Sequence, residues 1–61
     1  MGTEWITTTD ARGDTVHLRC SRIVAIRDYG GSCVAIMVGG GEIALRKPAD
    51  EVRGMLEGEG D

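Results

Sequence analysis

Three side chains in this sequence could ligate a soft metal or pair as nucleophile and base: His17, Cys20 and Cys33. Structural zinc sites take four ligands, with cysteines paired at short spacing such as C-x2-C. Cys20 and Cys33 are separated by twelve intervening residues and have no such pairing. Three ligands also leave a tetrahedron incomplete, so neither metal nor any other cofactor is expected. A Cys–His catalytic pair needs a reactive thiolate, and a thiol in an apolar run such as Cys33–Val38 has a raised pKa and is inert. The two cysteines read as small apolar side chains in or beside a sheet. Catalytic residues are therefore expected to be absent, and the chain is not read as an enzyme.

The arginines are the other candidates. Arg12–Arg27 holds Arg12, Arg19, Arg22 and Arg27 against Asp14 alone. Together with His17, the last three could form a surface that contacts an acidic protein or nucleic-acid phosphates. The alternative is a solvated rim that keeps an edge strand from aggregating. Net charge is −3, with Glu57, Glu59 and Asp61 carrying the excess and residues 1–56 in balance. That is not the basic balance of a nucleic-acid footprint. Aromatic rings for base stacking are limited to Trp5 and Tyr29.

The glycine cluster Gly39–Gly41 precedes a strand-like run and lacks the Gly-Lys-Ser/Thr ending of a phosphate loop, so it reads as a turn. Asp10, Asp14 and Asp28 each lie beside turns and read as turn caps.

The elements that would position these residues follow from periodicity. Trp5–Thr9 is aromatic and β-branched, which suits a strand. Asp10–Asp14 supplies turn chemistry around Gly13. Thr15–Arg19 alternates, with Val16 and Leu18 inward and His17 and Arg19 outward. After the link Cys20–Arg22 come Ile23–Asp28, Cys33–Val38 and Glu42–Lys47. Pro48 ends the sheet and suits the first position of a helix, whose apolar stripe is Ala49, Val52, Met55 and Leu56.

The expected fold is α+β, mainly β. It is a five-stranded antiparallel meander across residues 5–57 with one short C-terminal helix, a frayed start at 1–4 and a flexible acidic tail at 58–61. The two middle strands are apolar at nearly every position and read as covered on both faces. One face would carry Val24, Ile26, Val34, Ile36 and Val38. The other would carry Ile23, Ala25, Cys33, Ala35 and Met37. One short helix covers only one of these. The face of Ile23, Ala25, Cys33, Ala35 and Met37 is the candidate dimer face, making a second copy the expected partner. The alternative is that the N-terminal hairpin folds over it and closes a small barrel. A chain of 61 residues also buries only about 60% of its unfolded surface, and oligomerisation is a common remedy.

Read in this order, the chain resembles the FlbD-like, or swarming motility, family of small proteins encoded among bacterial flagellar genes. The resemblance runs from Ile6 to Leu56. It rests on Gly13 in the first turn, on Val16, Leu18, Ile23, Ile26, Val34 and Ile36, on the glycine turn before Glu42, and on Ala49–Val52. The chain departs from the family pattern at Arg19–Arg22, Arg27 and Pro48. The resemblance implies a non-enzymatic accessory protein that acts through protein contacts.

The expected function is thus a small bacterial or phage interaction module that self-associates and binds another protein. The alternative is a nucleic-acid-binding regulator using the arginine patch. Residues 1–10 lack the basic-then-apolar pattern of an export signal, and the longest apolar run is far short of a membrane span. A cytoplasmic protein without a membrane partner is the expectation.

Overall fold

The structure, a computed structural model, describes residues 4–57. The expected tail, and all but the last residue of the expected frayed start, lie outside them. Five antiparallel strands form two sheets: β1 (Trp5–Thr9) with β2 (Thr15–Arg19), and β3 (Ile23–Asp28), β4 (Cys33–Met37) and β5 (Glu42–Leu45) in that order. One helix follows, α1 (Ala49–Leu56). The mainly-β class and the five strands agree with the sequence reading; the single continuous meander does not. β2 and β3 do not pair, because Cys20–Arg22 forms a turn of 3-10 helix between them.

The β1–β2 turn is built by Asp10, whose Oδ1 accepts the N–H groups of Arg12 at 3.0 Å and Asp14 at 2.9 Å. Gly13 takes a φ of +94° there, a conformation that suits glycine. The hairpin register then puts Ile6 opposite Leu18 and Thr8 opposite Val16 on the inner side. The hairpin joins the larger sheet at the end of β5. Asp10 bridges Leu45, the Arg46 N–H donates to the Thr9 carbonyl at 2.9 Å, and the Ala11 N–H donates to the Ala44 carbonyl at 3.0 Å. Around the core the strands therefore run β2-β1-β5-β4-β3, open between β2 and β3.

One core fills the wrap: Ile6 and Leu18 from the hairpin, Cys33, Ala35 and Leu45 from the sheet, and Ala49 and Val52 from α1. Hairpin and helix thus share the same side of the β3–β4–β5 sheet. Pro48 stands one position earlier than expected. It is the residue before the helix, and its carbonyl accepts the N–H groups of Glu51 and Val52. Ion pairs Lys47–Glu51 at 3.3 Å and Arg53–Glu57 at 3.0 Å run along the exposed helix surface, where such pairs add little. Among the described residues no helix is long and apolar enough to cross a membrane.

A bulge sets the phase of β3. Ile23 pairs with Met37, but Ala25 pairs with Ile36, so β3 carries one extra residue, Val24. An extra residue inverts the in–out pattern beyond it. Ile23 and Ile26 therefore both pack against the core, while Ala25 is exposed and Val24 is 62% exposed.

Within the hairpin, Thr8 is buried and its Oγ1 finds no hydrogen-bond partner. A buried hydroxyl left unpaired costs about 1–3 kcal/mol. Thr8→Val keeps the β-branched shape and removes that atom. It should raise stability by about 1 kcal/mol, read as a higher urea midpoint at unchanged slope. A lower midpoint would show that the hydroxyl is satisfied in solution.

Candidate functional site

The exposed faces of the two sheets carry His17, Arg19, Ala25 and Arg27, while the other residues singled out from the sequence lie in the connection or on the inner side. The first is the outer side of the hairpin. Its register places Trp5 opposite Arg19, Thr7 opposite His17 and Thr9 opposite Thr15. The Arg19 guanidinium carbon lies 5.4 Å from the Trp5 ring centroid, a cation–π distance. His17 Nδ1 and Thr7 Oγ1 are 3.0 Å apart and hydrogen-bonded. Trp5 is 51% exposed, and Thr7, His17 and Arg19 are exposed beside it. The result is a rigid aromatic ring with a cation held against it, flanked by an imidazole and hydroxyls.

Arg22 sits at the end of the 3-10 turn, and Arg27 lies on the second face, the outer side of β3–β4–β5. His17, Arg19, Arg22 and Arg27 are therefore divided between two sheets and their connection rather than gathered in one patch. The reason is topological: the link between β2 and β3 turns the chain out of plane, so strands adjacent in sequence are not neighbours in a sheet.

The second face is a grid of two cross-strand rows. One row is Arg27, Val34 and Ala44; the next is Ala25, Ile36 and Glu42. Val34 and Ile36 are half-buried in the middle, and the other four are exposed. Tyr29, by hydrogen bonding and charge, and then Glu42, by charge, raise the Arg27 pKa. Val38, 51% exposed, and Val24 extend the apolar surface.

The residues expected at a dimer face are split. Cys33 and Ala35 are 1% and 0% exposed beneath the hairpin and helix, while Ile23 and Met37 are half-buried on that same inner side. Ala25 alone lies on the outer face, carried there by the bulge at Val24. The chain covers most of the face assigned to a second copy with its own elements.

Both cysteines are free thiols. Burial pushes the Cys33 thiol up, and the nearby Asp28 carboxylate adds to the shift. Among the described residues, His, Cys, Asp and Glu side chains form no group of three that could hold a metal ion. A shallow depression of about 240 Å³ lies where the hairpin meets β5, lined by Asp10, Ala11, Arg12, Glu42, Ile43 and Ala44. Its Asp10 carboxylate is occupied by the backbone of the turn.

Sequence reasoning missed the Trp5–Arg19 pair. The signal was present: a turn centred on Arg12 sets Trp5 opposite Arg19. No family model, curated protein or solved structure matches the chain.

Proposed function

We propose that this chain is a small non-enzymatic interaction module, bacterial or phage in origin, that self-associates and binds another protein. The observation that carries the reading is the Trp5–Arg19 stack on the exposed hairpin face. Tryptophan and arginine are the side chains most enriched among residues that dominate binding energy. Here the two are already held together across a strand pair, so little rotamer freedom remains to be lost on docking. The hairpin face would meet the other protein, and His17 offers a donor or acceptor at its centre. The family resemblance points to the same class of accessory protein.

The test is quantitative affinity capture with the wild-type chain and with Trp5→Ala/Arg19→Glu. Both positions are exposed, so the variant should fold normally. Partner recovery should fall at least tenfold, the scale of losing a dominant contact. A partner recovered equally by both proteins sinks the assignment.

A second reading, binding of single-stranded nucleic acid, draws on the same stack, because a ring beside a cation is also base-stacking chemistry. It requires retention on mixed DNA and RNA that weakens steeply with salt. The acidic net charge and the division of the arginines between two faces favour the protein reading.

A further inference from the structure

The outer face of the β3–β4–β5 sheet has a pattern that matches itself. Neighbouring strands lie roughly 4.8 Å apart and residues rise roughly 3.3 Å along a strand. Arg27 and Glu42 therefore stand at diagonal corners of the grid, roughly 10 Å apart across the strands and roughly 7 Å along them. Ala25 and Ala44 occupy the other two corners, and Val34 and Ile36 fill the centre. The corners that carry side-chain bulk carry opposite charges; those that do not are alanines. Neither Arg27 nor Glu42 belongs to an ion pair within the described residues.

We infer that this face is the homodimer interface, with a two-fold axis lying in the face along the Ala25–Ala44 diagonal. The operation brings Arg27 of one copy within side-chain reach of Glu42 of the other, and the reverse. It also sets Val34 over Ile36 of the second copy and brings the alanine corners together, where their small side chains allow close approach. A two-fold contact requires residue i to meet j while j meets i, and opposite charges at diagonal corners satisfy that requirement. The strands of the two copies cross at roughly 70°, near the orthogonal class of sheet packing. This assignment rests on the self-association proposed above and replaces the inner face that the sequence pattern suggested. The grid's Arg27, Val34, Ala44, Ala25, Ile36 and Glu42 fall well short of the roughly 20–30 residues a side of a standard complex, so the dimer exchanges readily with monomer.

The face gives a charge-exchange test. In Arg27→Glu both inter-copy contacts become acid against acid; in Glu42→Arg both become base against base. Mixed one to one, the two variants restore two opposite-charge contacts in a heterodimer. Sedimentation of wild type, each variant and the mixture, at concentrations up to about 1 mM, reads the outcome. Circular dichroism checks that these exposed substitutions leave the fold intact. The expected result is a wild-type dimer, each variant weakened at least tenfold, and association recovered in the mixture. Variants that dimerise like wild type would overturn the face while leaving self-association standing. A wild-type chain that stays monomeric throughout would overturn both. Weakened variants with no recovery in the mixture would overturn the two-fold arrangement.

Discussion

Leu45→Ala should leave the chain largely unfolded at 25 °C. Leu45 is 1% exposed and is among the largest fully buried side chains. Buried Leu→Ala changes cost about 2.7–5 kcal/mol, depending on how far the surroundings collapse into the space. A domain this small has only about 3–5 kcal/mol to lose. The site has little freedom to collapse. Leu45 pairs with Cys33 on one side and bridges Asp10 on the other, so its backbone is fixed where the two sheets meet. Far-UV circular dichroism in a urea series should show little or no folded baseline. Trp5 fluorescence would be a poor reporter, because the ring is already half exposed. A loss below about 1 kcal/mol would mean that the junction repacks far more easily than its burial suggests.

Val52→Asp should have a comparable effect by a different route, and with a pH signature. The helix has eight residues, with Gly54 inside it. Isolated helices this short do not persist in water, and an interior glycine weakens this one by about 1 kcal/mol relative to alanine. α1 is therefore helical because it docks, and Val52, 0% exposed, is its most buried contact. An unpaired carboxylate there should cost more than about 3 kcal/mol at neutral pH. Burial raises the pKa of the introduced carboxyl in the folded state. The folded state then binds the proton more tightly than the unfolded one, so the damage shrinks as pH falls through that raised value. Val52→Asn has the polarity without the titration and should show no such recovery. Equal pH profiles for the two variants would place position 52 in contact with water.

Strand positions were legible because each run has its own composition and the glycine and aspartate turns separate them. All five strand starts, Trp5, Thr15, Ile23, Cys33 and Glu42, and the ends Thr9, Arg19 and Asp28 agree with the sequence reading. The two sheet ends, Met37 and Leu45, fall short of the expected Val38 and Lys47. Which side each residue faces was legible only where polar and apolar residues alternate, as in Thr15–Arg19. In Ile23–Ile26 every residue is apolar, so a shift of one position leaves no trace in the pattern. That is why Ile26 and Ala25 were assigned to the wrong sides. Cys20–Arg22 gave no sign that it would end the pairing of adjacent strands, and the division of the arginines follows from that turn. Thr7–Thr9 presents three identical residues, and the side of Thr8 follows only from its place two residues after Ile6 in the same strand.

The bulge at Val24 also decides where this chain can change length. The glycine turns after Asp28 and after Met37 lie outside the strands, and Gly30, Gly39 and Gly40 take positive φ values there, so a length change that keeps those glycines is accommodated at the surface. Insertions or deletions there leave the reading of each strand untouched. Inside β3 a deletion of Val24 does the same, because Ile23 already pairs with Met37 and Ala25 with Ile36, so removing the extra residue leaves Ile23 and Ile26 both facing inward. Elsewhere in a strand a change of one residue turns its neighbours to the other face. The chain is therefore tolerant of length changes at its loops and at the bulge, and intolerant of them elsewhere in its strands. A length polymorphism among natural variants should map onto that division.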